Sequence, residues 1–212
     1  MTERVTLEST GLELPGDLVV PASANGLVIF AHGSDSSRHS PRNQYVAHVL
    51  NEARLATLLF DLLTAEEAAD RRNVFDIPFL AGRLDAAHRW AADRHGELPV
   101  GYFGASTGGA AALWTAGEGA GVGVGVGAVV SRGGRVDLAG PRLAAVTAPT
   151  LLIVGALDAD VLEVNRAAQD ELRCVNELQV VAGATHLFSE PGTLEQVAVL
   201  ARDWFRRELA GH

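Results

Sequence analysis

The stretch Gly104-Ala105-Ser106-Thr107-Gly108 decides the fold of this chain. It has the pattern Gly-x-Ser-x-Gly, with an apolar run before it and small residues after it, which is typical of a nucleophile elbow. An elbow turns the chain sharply from a strand into a helix, and a side chain at either glycine would collide with its neighbours. The pattern therefore predicts that Ser106 stands at a strand end, beside the free N–H groups of a helix N-terminus.

A serine that transfers acyl groups needs a base, and the base needs an acid that orients it. Downstream of Ser106, the strand-like run 149–155 is followed by Asp158, and the run 178–181 is followed by His186. The ends of both predicted strands fall at the same edge of a parallel sheet as the elbow. We therefore predict that Ser106, Asp158 and His186 form a catalytic triad.

A second carboxylate leaves the identity of the acid open. Asp160 lies two positions after Asp158 and could orient the histidine instead. Its alternative role is to cap a helix that begins near Val161, because aspartate is a preferred N-cap residue. We favour Asp158 as the acid and Asp160 as the cap.

Composition indicates which classes of partner the chain avoids. Its 212 residues suit one domain over 1–212, and 48% hydrophobic with 20% charged residues is typical of a soluble globular protein. The formal net charge of -9 would repel nucleic acid and anionic membranes, so neither is expected as a partner.

One cysteine, Cys174, fits a reducing compartment, and the start of the chain lacks a signal-peptide pattern. We expect a cytoplasmic location, and a monomer or a homodimer.

Strand and helix patterns alternate along the chain, which predicts an α/β fold with a mostly parallel sheet covered by helices on both faces. Two N-terminal strands near residues 4–8 and 16–20 are expected to join through a turn at Leu14-Pro15-Gly16. Ser40 is the expected N-cap of a helix that starts at Pro41. The predicted helices are 41–53, 76–95, 160–173 and 192–209, and the later strands include 27–30 and 57–60.

Glycine and valine alternate over residues 121–127, which is the period of a strand, and Ala128 to Val130 continue the pattern. The glycines predict that a helix packs very close to the sheet there. Between the end of this strand and residue 150 the chain is too short for a lid. An open, shallow cleft favours short-chain or compact esters and lactones.

The chain resembles small members of the α/β-hydrolase superfamily, in the dienelactone-hydrolase-like group, from about residue 16 to residue 209. The resemblance implies an α/β-hydrolase fold without a cap domain, the chain order serine, acid, histidine, and a serine esterase that needs no metal or organic cofactor. The residues that carry it are Phe30 to Ser34, Ser36 to Asn43, the elbow, Ser131-Arg132-Gly133-Gly134-Arg135, Leu152 to Gly155 with Asp158, and Gly183 to Phe188.

Two departures separate this chain from true dienelactone hydrolases. Those enzymes use a cysteine nucleophile and carry a glutamate in the loop after the third strand. Here the elbow carries Ser106, the loop carries His32-Gly33, and Cys174 falls in a predicted helix far from the elbow. The resemblance therefore supports serine ester hydrolysis and leaves the specific dienelactone reaction open.

Further roles follow from the same positions. The backbone N–H groups of Thr107 and Ser34 are the expected oxyanion hole. His32 heads the loop, and its ring is expected to support that loop rather than to transfer protons, although it could also contact substrate. Arg132 and Arg135 could bind a substrate carboxylate, or could instead pair with Asp137 or Asp158. The other histidines (His39, His48, His88 and His95) show no spacing typical of metal ligands.

The sequence is compatible with three functions. The first is a hydrolase of small carboxylic esters or lactones that works through an acyl-enzyme. The second is an acyltransferase or perhydrolase that uses the same triad, since another nucleophile can compete with water for the acyl group. The third is a non-catalytic binding protein with a hydrolase fold.

Overall fold

A computed structural model describes residues 2–117 and 125–210 of the chain. In this part the chain forms one eight-stranded sheet with the strand order β1-β2-β4-β3-β5-β6-β7-β8. The strands are β1 Thr2–Ser9, β2 Leu12–Val19, β3 Leu27–Ala31, β4 Ala56–Phe60, β5 Val100–Ala105, β6 Val126–Arg132, β7 Thr150–Gly155 and β8 Asn176–Val181.

Only β2 runs against the direction of the other strands of the sheet. β1 pairs antiparallel with β2, and β2 pairs antiparallel with β4. The five remaining pairings, from β4 through β3 and β5 to β8, are parallel. The helices are α1 Pro41–Glu52, α2 Ala65–Ala69, α3 Arg71–Phe75, α4 Ile77–His95, α5 Thr107–Gly117, α6 Gly140–Leu143, α7 Ala159–Glu171 and α8 Thr193–Leu209, with a 3-10 helix at Val136–Ala139.

Two hydrophobic layers sandwich the sheet. One layer joins α4 and α5 to the sheet and the other joins α1 and α8 to its opposite face. Successive residues of β5 alternate between the layers, since Tyr102 belongs to the first and Phe103 to the second. The predicted architecture, a mostly parallel sheet with helices on both faces, is confirmed.

Local signals set the starts of two of the predicted helices. Ser40 Oγ accepts the N–H of Asn43 and Pro41 is the first residue of α1, as expected. Asp76 caps α4 in the same way by accepting the N–H of Phe79. Both caps lie within two residues of the predicted boundaries.

The predicted turn at Leu14-Pro15-Gly16 is wrong. The turn lies at Thr10 and Gly11, which both have positive φ angles, 51° and 78°. Pro15 lies inside β2 opposite Thr6, and the pairing of β2 with β4 begins only at Gly16. Proline is tolerated there because no β4 residue is paired with it, so its missing N–H costs no bond on that side.

Two further predictions need correction. α7 ends at Glu171, so Cys174 lies in the connection to β8 and not in a helix, half-buried with its thiol 3.8 Å from Thr150 Oγ1. Most of the predicted glycine–valine strand lies outside the described residues, and β6 begins at Val126. Gly125 lies just before β6, and a Cβ there would meet nothing within 4 Å.

The helical segment between β4 and α4 was not predicted from the sequence. α2 begins with a capping box in which Thr64 and Glu67 bond reciprocally, and Asp70 caps α3 by accepting the N–H of Arg72. Within the described part of the chain, none of the helices has the length and apolar character needed to cross a bilayer.

Candidate functional site

The chain turns from β5 into α5 at Ser106. Ser106 has a φ of 52°, a conformation that costs free energy for a residue with a side chain, and α5 begins at the next residue. A Cβ on Gly104 would lie 2.5 Å from the Cα of Gly109, and a Cβ on Gly108 would lie 2.7 Å from the carbonyl oxygen of His32. Only glycine fits at these two positions, as the elbow pattern predicted.

The acid and the histidine meet at the same edge of the sheet. Asp158 follows β7 and His186 follows β8, and 2.6 Å separates Asp158 Oδ2 from His186 Nδ1. The carboxylate is mostly buried and the imidazole is 37% exposed. A carboxylate on Nδ1 places the proton there and leaves Nε2 to act as a base.

Asp160 does not cap a helix. α7 begins at Ala159, so Asp158 occupies the N-cap position and Asp160 lies exposed within the first turn. The predicted cap is therefore wrong by two residues. Asp158 makes no capping bond with its side chain, because its carboxylate faces His186.

One loop contacts both the serine and the histidine. The N–H of Ser106 donates to the carbonyl oxygen of Arg132 (3.2 Å), and the N–H of Arg135 donates to the carbonyl oxygen of Ser106 (3.1 Å). A Cβ on Gly133 would lie 3.4 Å from His186 Nδ1. No hydrogen bond joins Ser106 and His186 directly within the described residues. Such bonds commonly tighten only when substrate binds.

Thr107 follows Ser106 directly, and the loop that carries Ser34 lies against it. Thr107 is the first residue of α5, so its N–H has no intrahelical partner. On the other side, a Cβ on Gly33 would lie 2.9 Å from the Cβ of Ser106. This contact brings the loop of Ser34 against the elbow.

His32 holds that loop through both of its ring nitrogens. Nδ1 lies 2.9 Å from the carbonyl oxygen of Gly33, and the N–H of Leu62 donates to Nε2 (3.0 Å). Burial lowers the pKa of His32, so the ring is neutral, with its proton on Nδ1. Neither nitrogen is left to contact substrate, which argues against the binding role and for the supporting one.

The two arginines after β6 have different surroundings. Arg135 forms a bidentate ion pair with Asp137, with distances of 2.9 and 2.7 Å. Arg132 is 7% exposed, pairs with neither Asp137 nor Asp158, and lies over the ring of Phe188 with 5.9 Å to the centroid. Arg135 is therefore neutralised at the surface, whereas Arg132 is a buried cation.

One buried polar residue that was not predicted from the sequence holds the Arg132–Arg135 loop, and a second lies against it. Asn165, fully buried on α7, donates from Nδ2 to the carbonyl oxygens of Gly134 (2.8 Å) and Val161 (2.7 Å). The hydroxyl of Ser131 is buried without a hydrogen-bond partner, and a Cβ on Gly134 would overlap it. No local pattern marks Asn165, because it acts on a segment distant in sequence.

A cavity of about 350 Å³ adjoins the His32 loop. It is lined by residues 32–37 together with Asp61, Leu63 and residues of the α2–α3 segment. A larger cleft of about 780 Å³ lies between β1 and α4 and shares no residue with the site. Within residues 2–117 and 125–210, no group of three or more histidine, cysteine or acidic side chains has a metal-binding arrangement.

The chain was compared with protein families, curated proteins and solved structures. No protein-family model matches the chain. A protein of Mycobacterium tuberculosis (strain CDC 1551 / Oshkosh), named "Putative phosphoribosyl transferase", is 57% identical over 211 residues, which are 99% of this chain and 47% of that protein. The chain thus spans about half the length of this curated relative.

Solved structures match the chain over its whole length. The esterase Est1E from Butyrivibrio proteoclasticus has a TM-score of 0.81 at 16% identity, covers 98% of this chain and 99% of its own, and supports the fold alone. A dienelactone hydrolase from Anabaena variabilis ATCC 29413 has a TM-score of 0.93 at 50% identity and covers 98% of both chains. The chain therefore has the α/β-hydrolase fold and belongs to the dienelactone hydrolase family.

Proposed function

We propose that the chain is a serine hydrolase that cleaves small carboxylic esters or lactones through Ser106, His186 and Asp158. The observation that carries the proposal is the 2.6 Å contact between Asp158 and His186 at the sheet edge where Ser106 leaves β5. The 50% identity to a dienelactone hydrolase supports a hydrolase. A serine at the elbow supports the ester reaction over one that needs a thiol nucleophile.

In the proposed reaction, Ser106 Oγ attacks the carbonyl carbon and His186 Nε2 takes the hydroxyl proton. Asp158 stabilises the imidazolium that forms. The N–H groups of Thr107 and Ser34 hold the oxyanion of the tetrahedral intermediate, each contributing about 3 kcal/mol of transition-state stabilisation. The C–O bond to the alcohol breaks, and the alcohol leaves with the proton from His186. Water then hydrolyses the acyl-enzyme by the same steps.

The short connection between β6 and β7 supports compact substrates, because an open cleft favours small esters. Between β6 and β7, residues 133–149 form only the 3-10 helix and α6, which are too short to make a lid. We therefore expect acetyl esters to be hydrolysed much faster than palmitoyl esters.

The proposal concerns the region that this chain shares with the mycobacterial relative. That relative is about twice as long, and its name describes a whole protein of which this region is 47%. A transferase activity of the longer protein would be compatible with a hydrolase in this part of it.

A fluorophosphonate probe tests the nucleophile. We expect the wild type to gain one covalent adduct at Ser106, and Ser106→Ala to gain none and to lose hydrolysis of 4-nitrophenyl acetate. Ser189→Ala, which changes an exposed serine near His186, is the matched control and should react like the wild type. Labelling of Ser106→Ala at wild-type rate, or a folded wild type that does not react, would contradict the proposal.

A further inference from the structure

The two outer strands of the sheet differ in charge. β1 forms one edge and β8 forms the other. β1 carries Glu3, Arg4 and Glu8, and charged side chains on an edge strand oppose pairing with another chain. β8 carries one charged residue, Glu177, and Arg207 at the end of α8 pairs with it at 3.0 Å. The edge at β8 is therefore protected much less than the edge at β1.

The outer side of β8 presents free backbone groups. The carbonyl oxygen of Val181 accepts the N–H of Ala156 (2.9 Å), so the backbone groups of Val181 point toward the β7 side. Because the backbone groups of successive strand residues point to opposite sides, those of Leu178 and Val180 point away from β7. In the described part of the chain, no strand lies beyond β8 to pair with them. Such a row of free N–H and C=O groups is a template for another strand.

Apolar side chains lie along the same edge. A groove of about 380 Å³ separates β8 from α8. Val180 on the strand and Val199 on the helix both line it, and they are 43% and 42% exposed. Single exposed apolar residues are ordinary, but two that line one groove beside an open strand indicate an interaction surface. The other lining residues are Gln179, Val181, Glu195, Gln196 and Leu200.

Charge along α8 favours a second copy of the same chain as the occupant. The helix has Glu195 in its first turn, and Arg206 and Arg207 in its last turn. Glu195 lines the groove and Arg207 pairs with Glu177, so both charged ends of the helix lie beside β8. A twofold axis perpendicular to the sheet at the middle of β8 brings the acidic start of each α8 toward the basic end of the other. The edge is thus complementary to itself in charge.

We propose that two copies of this chain associate through β8, which pairs antiparallel with β8 of the other copy, so that the two sheets join into one. Directly opposite residues of an antiparallel pair have side chains on the same face, so the twofold axis passes through one residue. An axis at Gln179 sets Leu178 of each copy opposite Val180 of the other, and the free backbone groups of these residues bond. An axis at Leu178 would set Val180 opposite the polar Asn176 instead.

Single cysteines test this register. In the background Cys174→Ser, which removes the native thiol, Gln179→Cys places one thiol from each copy on the axis. The backbone groups of Gln179 point toward β7, so its two copies form a non-hydrogen-bonded pair with Cα atoms about 4.5 Å apart, within reach of a disulfide. We expect mild oxidation to convert this variant into a covalent dimer. Thr6→Cys in the same background, at an exposed position of β1, is the matched control and should remain a single chain.

Val180→Lys tests the interface in solution. A lysine on an edge strand opposes pairing, so this variant should sediment with the mass of one chain, whereas the wild type should sediment with twice that mass. Val20→Lys is the matched control, because Val20 is 40% exposed near the opposite edge of the sheet, and it should remain a dimer. Circular dichroism checks that both variants fold. If Val180→Lys does not fold, the disulfide at position 179 decides.

Two outcomes would overturn the proposal. One is a wild type that sediments as a single chain at concentrations up to about 100 μM. The other is a dimer that survives Val180→Lys while Gln179→Cys forms no more disulfide than Thr6→Cys, which would place the interface elsewhere. Neither measurement needs turnover, so the result is independent of the proposed hydrolase reaction.

Discussion

Gly33 and Ser106 lie in direct contact, because a Cβ atom on Gly33 would be 2.9 Å from the Cβ of Ser106 and 3.0 Å from the carbonyl oxygen of Ala105. Because Gly33 has no side chain, the loop that carries Ser34 can pack directly against the proposed nucleophile. The spacing between the hydroxyl and the proposed N–H donor depends on that glycine.

Gly33→Ala should lower kcat for a short ester by about 100-fold, because displacement of the loop moves one oxyanion donor out of position. Its free energy of unfolding should fall by about 1–3 kcal/mol, since atoms of the backbone must shift to make room. Kinetics and urea unfolding measure the two effects. Wild-type kcat in this variant would contradict the assigned position of the loop.

Gly82→Ala is the matched control at an open site. Gly82 lies exposed in the middle of α4, and a Cβ there would meet nothing within 4 Å. Alanine should therefore raise the free energy of unfolding by about 0.5–1 kcal/mol, because it favours the helix over the unfolded chain. Activity should not change, and a loss of stability would show that α4 is packed more tightly than described.

Asp158→Asn and Asp160→Asn distinguish the two candidate acids. Loss of the carboxylate that faces His186 Nδ1 should lower kcat by roughly 10⁴-fold. Without it, the imidazole is no longer held in the tautomer with its proton on Nδ1, and no negative charge stabilises the imidazolium. Asp160 is exposed in the first turn of α7, and its amide variant should retain nearly full activity. Steady-state kinetics on one ester measures both variants, and the reverse ranking would make Asp160 the acid.

Ser131 and Gly134 should show coupled effects on stability. Gly134→Ala alone should be strongly destabilising, because its Cβ would overlap the buried hydroxyl of Ser131. Ser131→Ala alone should be neutral or stabilising, because it removes a buried hydroxyl without a partner. In the double variant the overlap is gone, since the nearest atom is then Val136 Cγ1 at 3.1 Å. A double-mutant cycle in urea measures the coupling, and additive effects would contradict the contact.

The stability of the protein should fall as the pH drops below about 6.5. Burial lowers the pKa of both His32 and His88 from their usual value of 6.5. For His88, the nearby Asp85 opposes this shift and Arg89 adds to it. The unfolded chain therefore binds protons at a higher pH than the folded protein does. The contribution of each histidine to the free energy of unfolding is complete above about pH 6.5. Below that pH the contribution is lost, by up to about 1.4 kcal/mol per pH unit.

His88→Asn isolates one of the two groups. The ring nitrogen Nδ1 of His88 lies 2.6 Å from the hydroxyl of Tyr102, and burial raises the pKa of that tyrosine, so the hydroxyl keeps a proton that it can donate to Nδ1. An asparagine oxygen replaces the acceptor and does not titrate. Thermal unfolding between pH 5 and pH 8 should show a shallower loss in this variant, and an unchanged slope would exclude His88 as a contributor.

Features determined by neighbouring residues could be predicted from the sequence. The elbow glycines and the Ser40 cap each act within a few residues, so their patterns placed the turn and the start of α1 correctly. The helical spacing of apolar residues placed α4. The capping box of Thr64 and Glu67 could also be recognised in the sequence. It did not lead to a predicted helix, because a five-residue helix has too few turns to show a periodic pattern.

Features that depend on partners distant in the chain could not be predicted. Pro15 favours a turn by its own conformation, yet it lies in a strand because the sheet leaves it without a β4 partner. Asp158 and Asp160 are both good N-cap residues, and only the position of His186 decides between them. Nothing near Asn165 or Arg132 in sequence indicates that one tethers a loop or that the other is buried without a counter-ion.

The start of α7 places a limit on protein engineering. Asp158 stands where a side chain would normally stabilise the first turn, a contribution of about 1 kcal/mol, but its oxygen atoms are directed to an imidazole instead. Thermostability programmes that optimise helix ends by substitution would select this position for change. Every gain in melting temperature obtained there would remove the acid on which turnover is proposed to depend, so heat-resistant variants should be sought at other positions such as Gly82.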